Sequence, residues 1–183
     1  EKGWVIHQVL PTGEVIALQG LDAGGMPVYY ITDYNTRAAA TTSTNQLWPG
    51  GNTGLNLSGS SAFLAGKIAI WDGGSVLDTH QELAGRIILN DGAAVSNHST
   101  HVAGTMIAAG VNPLARGMAF GAPNLRSWDF NNDGNEMTDA ASGLIISNHS
   151  YGRVTGWNNN SSRAGTASDP NWEWRGNPNV SST

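Results

Sequence analysis

The run KIAIWDGG, residues 67–74, restricts the fold of this chain more than any other segment. Its apolar residues are continuous, so it has no polar face, and it ends in an acid and two glycines. Runs of this kind are typical of strands that are buried on both faces of a parallel sheet and are followed by a tight turn. The sequence therefore predicts a buried parallel strand whose carboxyl end is Asp72.

Two later segments carry helical patterns. The segment STHVAGTMIAAG, residues 99–110, places Val102, Met106 and Ile107 among alanines and glycines, which predicts a narrow helix that can pack closely. The segment NEMTDAASGLIISNHSYG, residues 135–152, predicts a second helix that passes into an apolar strand. Because strands alternate with helices, we expect an α/β domain with a largely parallel sheet and flanking helices.

The regions on either side of this α/β pattern differ from it. Short apolar runs separated by Gly, Pro and Asp predict strands or hairpins near the N-terminus, so residues 1–60 are assigned to a short β-rich leader. This leader is either part of the mature protein or a propeptide junction. Residues 61–183 hold the α/β part, in which the segment 153–183 lacks apolar periodicity and is predicted to be a long loop rich in Gly, Asn and Ser.

Composition excludes several classes of protein. With 183 residues, of which 39% are hydrophobic, the chain is long enough for one domain with a real core. A formal charge of −5 and nine Lys and Arg residues leave no basic patch that could follow a phosphate backbone, so no nucleic-acid partner is expected. Cysteine is absent, which rules out disulfides and thiolate chemistry. No run approaches the roughly 18 apolar residues of a membrane helix, so no membrane partner is expected.

The same composition bears on localisation. A chain without disulfides that is rich in Gly, Asn, Ser and Thr is compatible with export from a bacterium. The N-terminal residues EKGWVIHQVL lack the basic and then apolar pattern of a signal peptide. We therefore expect a secreted, extracellular protein whose signal peptide has been removed.

Asp72 and His98 form the strongest candidate for a catalytic pair. Asp72 ends the predicted buried strand, at the edge of the sheet where the active sites of open α/β folds lie. His98 stands where a loop enters the predicted helix, so both side chains can converge on this edge. An aspartate that accepts the Nδ1–H of a neutral imidazole fixes its tautomer, as a general base acting on a hydroxyl requires. Small residues at Ser99, Ala103 and Gly104 are expected to let the helix pack tightly on the sheet.

The segments KIAIWDGG, HSTHVAGT, ARGMAFGAP and IISNHSYG occur in this order between residues 67 and 152. In order and approximate spacing they resemble the subtilisin-like serine proteases (subtilases), over about residues 61–152. The histidine block matches the family pattern with one change, Ser99 where the family usually has glycine. The resemblance implies that His98 is the base, that Asp72 orients it and that His101 is a buried structural histidine.

By the same resemblance, the segment Ser150, Tyr151 and Gly152 is the one whose backbone pairs with an extended polypeptide substrate. The chain order of acid and then histidine agrees with the order Asp, His, Ser of the subtilisin triad.

The resemblance also implies two parts that this chain lacks. A subtilase needs an oxyanion-hole asparagine and a nucleophilic serine at the head of a helix, both downstream of the substrate-binding segment. The segment AGTAS, which ends at Ser168, lies in the predicted loop with no apolar helix after it, so Ser168 is a poor candidate. We therefore expect the N-terminal part of a serine endopeptidase that is inactive alone. Its expected partner is the C-terminal remainder of the enzyme, which carries the catalytic serine.

Two functions from other classes compete with this interpretation. The first is a zinc site, although two histidines three residues apart carry much less information than an HExxH pattern. A non-catalytic peptide-binding protein on a protease-like fold is the second, with Ser150–Gly152 as its docking edge. The candidate zinc ligands are His80, His98, His101, Asp78 and Glu82.

The segment DFNNDGNE, residues 129–136, resembles the start of a calcium-binding loop. Asp129, Asn131 and Asp133 alternate as at the start of an EF-hand loop, but the twelfth position is Ala140 instead of a bidentate glutamate. The better interpretation is a polar turn that caps the following helix. No cofactor is expected to be required for catalysis and no metal ligand is assigned, while structural calcium elsewhere stays open.

Overall fold

The computed structural model describes residues 3–11, 15–32, 34–154, 156–160, 162 and 171–176. The chain divides into two compact units, Glu1–His149 and Ser150–Thr183, and each is described by itself. The parallel sheet and the candidate catalytic pair belong to the first unit.

A small antiparallel sheet begins the first unit. Its turn between the second and third strands is held by Asp22, whose Oδ1 accepts the backbone N–H groups of Gly24 and Met26, each at 2.9 Å. The short strands predicted near the N-terminus are therefore confirmed, although their side chains are half-buried or exposed and do not form a core. The strands, in spatial order, are β1 (His7–Val9), β2 (Val15–Leu21) and β3 (Pro27–Ile31).

The β-rich character predicted for residues 1–60 ends with this sheet, and for the rest of that range the prediction is wrong. The next element is the helix α1 (Asn35–Thr41), which contains three consecutive alanines, the residue with the highest helix propensity. Asn35 Nδ2 donates to the Ala115 carbonyl at 2.9 Å, and Trp48 Nε1 donates to the Met118 carbonyl at 2.9 Å. The segment 35–48 is therefore hydrogen-bonded to the loop that contains Ala115 and Met118.

The centre of the first unit is a parallel sheet of four strands, which confirms the α/β class. The predicted strand at KIAIWDGG is β4, and all of its residues are buried, so it is covered on both faces. Two strands, β5 and β6, were not predicted. The strands are β4 (Ile68–Asp72), β5 (Ile87–Leu89), β6 (Leu125–Asp129) and β7 (Ile146–His149), in the spatial order β5-β6-β4-β7.

The helix α2 (Asn97–Ile107) covers one face of this sheet, as predicted. Its fully buried residues Ser99, Ala103 and Ile107 recur every fourth position, and the last two pack in a core with residues of β4 such as Ile70. The expectation for Gly104 was wrong, because a Cβ at that position would meet no atom within 4 Å. Gly104 lines a cavity instead of touching the sheet.

The second predicted helix is α3 (Asp133–Ala140), and it passes through a single 3₁₀ turn into β7, as expected. The adjacent sheet carries an aromatic stack in which Trp71 lies between Trp128 and His149, at centroid distances of 4.4 Å and 5.3 Å. Trp71 Nε1 donates to Glu136 Oε2 at 3.0 Å, which links the stack to α3. Among the helices of the described ranges, none has the length and apolar character needed to span a bilayer.

The second unit contains an antiparallel pair of strands, β8 (Gly156–Asn159) and β9 (Trp172–Arg175). The prediction of an irregular loop over 153–183 is therefore wrong for these residues. Trp157 and Trp174 are directly opposite in register and pack edge to face with centroids 5.8 Å apart, a contact that stabilises strand pairing. Ser168 lies outside the described residues.

Candidate active site

Asp72 and His98 are in direct contact. Asp72 is the last residue of β4 and is 2% exposed, and its Oδ1 lies 2.7 Å from Nδ1 of His98. The His98 side chain is 60% exposed. The structure therefore brings together the two residues that were predicted to converge, with the carboxylate buried and the imidazole open to solvent.

The loop after β4 brings His98 to Asp72. Ser75 N donates to the Ala94 carbonyl and Ser96 N donates to the Ser75 carbonyl, both at 2.9 Å, so the loop runs parallel to the segment before α2. Ser96 then caps α2 by accepting the Ser99 N–H on its side chain at 3.3 Å. The helix consequently begins beside the end of β4, with His98 in its first turn.

Gly74 makes this close approach possible. Its φ of +143° lies in a region that side chains rarely adopt, and a Cβ there would lie 2.7 Å from the Ala94 carbonyl oxygen. The two glycines after the acid were predicted to form a tight turn, and for Gly74 the structure adds the reason that a larger residue does not fit.

One oxygen of the Asp72 carboxylate receives every donor that the described residues supply to it. Oδ1 accepts the Gly73 N–H at 2.7 Å and the Ser99 hydroxyl at 3.1 Å, in addition to Nδ1 of His98. Oδ2 is buried and has no hydrogen-bond partner within the described part of the chain. The carboxylate is thus held from the strand side by Gly73 and from the helix side by His98 and Ser99.

This arrangement is suited to general-base chemistry. A carboxylate can act toward the imidazole only as an acceptor, so the proton of the neutral His98 ring lies on Nδ1 and the lone pair lies on Nε2. That nitrogen can take a proton from a hydroxyl that approaches from the solvent side. In the described ranges, no serine or threonine hydroxyl is hydrogen-bonded to the His98 ring.

His101 was expected to be buried, and this expectation is wrong. The residue is exposed, because it lies two positions after the buried Ser99, which is about 200° around the helix. It lines a cavity of about 420 Å³ on the side of α2 away from the sheet, together with His80 and Thr100.

The geometry gives no support to the zinc alternative. His80 Nδ1 accepts the backbone N–H of Glu82 at 3.3 Å. Glu82 is 4% exposed, and its carboxylate oxygens already accept hydrogen bonds from the loop after α2. Within the residues that the structure describes, no group of three His, Cys, Asp or Glu side chains could hold a metal ion. The donors to Glu82 are the backbone N–H groups of Gly110 and Val111 on Oε2, at 2.7 Å and 2.9 Å, and of Asn112 on Oε1, at 2.7 Å.

The segment that resembles the start of a calcium-binding loop forms a turn. Asp129 accepts the backbone N–H of Asn131 on Oδ1 at 2.7 Å and its side-chain amide on Oδ2 at 2.6 Å. The helix α3 begins directly afterwards at Asp133, and its N-cap Asn132 makes no side-chain capping bond. The interpretation as a polar turn agrees with the structure, whereas side-chain capping of the helix does not occur.

The predicted peptide-binding segment follows the sheet without belonging to it. The strand β7 ends at His149, so Ser150, Tyr151 and Gly152 come directly after the strand. These residues open the second unit, where Ser150 and Gly152 are exposed and Tyr151 is half-buried. Their role in binding a peptide stays a prediction.

Two interactions near the candidate site were not predicted from the sequence. The first is the hydroxyl of Ser99, for which the departure from the usual glycine was the available signal. The second is the set of hydrogen bonds between the Glu82 carboxylate and the loop 110–112. The sequence carries no signal for them, because the donors are backbone N–H groups distant in sequence.

We predict that Gly74→Ala destabilises the fold by about 2 kcal/mol or more, because it combines a strained φ with a contact to a backbone carbonyl. Gly92→Ala, in the loop before α2, is the matched control, since a Cβ there meets nothing within 4 Å. Chemical denaturation of both variants measures the difference. Equal stability of the two variants would show that the loop after β4 does not constrain the start of α2.

Glu82 makes stability depend on pH. Burial by itself raises the pKa of Glu82, but the backbone donors and the nearby His80 outweigh burial and lower this pKa below its usual value. The ionised form is therefore favoured by folding, so its contribution is complete above the pKa of the unfolded chain, about 4.3, and is lost as pH falls through the lower folded value.

We expect Glu82→Gln to lower the free energy of unfolding by about 2 kcal/mol at pH 7, because one carboxylate oxygen is replaced by an amide N–H that faces a donor. The difference from the unmodified chain should shrink as pH falls below about 4. Asp78→Asn, at an exposed carboxylate of the same loop, is the control and should stay within about 0.5 kcal/mol. A deficit for Glu82→Gln that is constant down to pH 2 would contradict this assignment.

Comparison of the chain with protein-family models, with curated proteins and with solved structures returned no match. The function is therefore argued from the geometry of the site together with the motifs in the sequence.

Proposed function

We propose that this chain carries the acid and the base of a secreted serine endopeptidase of the subtilisin-like type. Asp72 orients His98, His98 is the general base, and the nucleophilic serine belongs to the C-terminal remainder of the enzyme. The observation that carries the proposal is the 2.7 Å contact between the buried Asp72 carboxylate and Nδ1 of the exposed His98.

The position of this pair in the fold supports catalysis over a structural role. Both residues lie at the carboxyl end of β4, a central strand of the parallel sheet, where open α/β folds bind their ligands. A histidine that serves only packing has no need for solvent, yet the His98 side chain is 60% exposed. The pair thus combines a buried carboxylate with an imidazole that is held at Nδ1 and is largely open to solvent.

In the proposed reaction His98 first accepts a proton from the serine and then donates it to the leaving group. His98 Nε2 takes the proton of the serine hydroxyl as the serine oxygen attacks the peptide carbonyl, and the imidazolium is stabilised by Asp72. The imidazolium then gives this proton to the leaving amine as the peptide bond breaks. Water repeats the sequence on the acyl-enzyme and releases the new carboxyl terminus. These steps need no metal or cofactor.

The substrate is proposed to be an extended polypeptide. A peptide can be held by main-chain hydrogen bonds to the segment Ser150, Tyr151 and Gly152, and this mode of recognition is largely independent of the substrate sequence. The four-stranded parallel sheet, with α2 on one face and α3 leading into β7, is compatible with the subtilisin-like arrangement that the motifs suggest.

We expect His98→Ala in the complete protease to lower peptide turnover by on the order of a million-fold, because the serine hydroxyl loses its base. Asp72→Asn should cost about ten-thousand-fold, because the amide favours the wrong imidazole tautomer. His101→Ala is the matched control on the same helix and should retain activity, since that residue is exposed and lies away from Asp72. Hydrolysis of an unstructured protein substrate measures all three.

A fluorophosphonate label followed by denaturing mass analysis separates the proposal from its alternative. Labelling of a serine in the complete protease, lost in His98→Ala, is the expected result. Activity of His98→Ala close to that of the unmodified enzyme would overturn the assignment of the base. Tight peptide binding without labelling or hydrolysis would instead establish a non-catalytic peptide-binding protein.

A further inference from the structure

Ser99 is a buried hydroxyl at the candidate site whose partner is the Asp72 carboxylate. It is 0% exposed in the first turns of α2, and its Oγ donates to Asp72 Oδ1 at 3.1 Å. A buried helical serine commonly donates its hydroxyl to the carbonyl four residues earlier. Here the hydroxyl crosses to the end of β4 instead, so the hydrogen bond joins the helix to the sheet beside His98.

This hydroxyl acts on the same oxygen as the imidazole. Gly73 N, Ser99 Oγ and His98 Nδ1 all donate to Oδ1, from the turn after β4, from the buried face of the helix and from its exposed face. Three donors in different directions define where Oδ1 lies and restrict rotation of the carboxylate. With only two donors the carboxylate is free to turn Oδ2, which has no hydrogen-bond partner among the residues that the structure describes, toward either of them.

The imidazole depends on this restriction. Because the His98 side chain is 60% exposed, packing restrains its ring weakly, and the bond to Asp72 is its principal anchor. A carboxylate that turns also moves the ring, and Nε2 then loses the position from which it can take a proton. Catalytic groups must be held to within about 0.5 Å of the productive geometry.

We propose that Ser99 is a positioning residue, whose hydroxyl holds the Asp72 carboxylate in the orientation that fixes the ring of His98. The inference rests on the proposed function and adds a residue to it. The pattern that this chain resembles usually has glycine at the position of Ser99, and glycine has no side chain to supply this hydrogen bond.

The test is Ser99→Ala, which removes the hydroxyl and little else. Ser127→Ala is the matched control, because Ser127 is 1% exposed in β6 and its Oγ has no hydrogen-bond partner among the described residues. The first readout is the Nδ1–H proton of His98 in ¹⁵N-labelled chain, observed by NMR. We expect a distinct downfield signal in the unmodified chain and in Ser127→Ala, and a broadened or absent signal in Ser99→Ala.

The second readout is kinetic and uses the complete protease. Ser99→Ala should lower kcat about ten-fold and leave KM nearly unchanged, because the substrate does not touch the hydroxyl. A role in folding alone would lower the yield of active enzyme without changing the His98 signal of the folded fraction. If Ser99→Ala does not fold, Ser99→Gly provides the same comparison with the residue usual in the pattern.

An Nδ1–H signal and a kcat in Ser99→Ala equal to those of Ser127→Ala would overturn the inference. That outcome leaves the proposed function standing if His98→Ala still abolishes hydrolysis. Retained hydrolysis in His98→Ala would remove the proposed function itself, whatever Ser99→Ala does, so the two failures are distinguishable.

Discussion

The buried carboxylate of Asp72 is the interaction on which the arrangement of the site depends. A charged group removed from water costs several kcal/mol unless donors replace its hydration. For Asp72 these donors come from the turn after β4 and from the first turn of α2. Strand, turn and helix must therefore be in place together, because displacement of the helix would leave the charge with one donor.

A second buried carboxylate, that of Glu82, shows what distinguishes a structural acid from a candidate catalytic one. Both of its oxygens accept backbone N–H groups of the loop 110–112, and among the described residues neither is hydrogen-bonded to a titratable side chain. Asp72 instead shares one oxygen with an exposed imidazole. The two acids are similarly buried, but only the carboxylate of Asp72 contacts a side chain that can exchange protons with a molecule in solvent.

The predictable elements of this fold are those whose pattern is local. The strand β4 is a continuous apolar run, and α2 has buried residues at helical spacing, so both were predicted. The strand β6 was not predicted, because its sequence LRSWD mixes polar and apolar residues. It becomes a strand through pairing with β4 and β5. The pairing of β8 with β9 was not predicted for a similar reason, because Trp157 pairs with Trp174, a residue distant in sequence.

The sequence by itself determined that an acid ends a buried strand and that a histidine begins a helix, because apolar runs and small residues specify such elements locally. Only the tertiary structure decided that His101 is exposed and lies away from Asp72, and that the hydroxyl of Ser99 donates to the same carboxylate oxygen as His98. The physical reason is that the rotation of α2 about its axis is set by packing of Ala103 and Ile107 in the core with β4, a contact between segments distant in sequence.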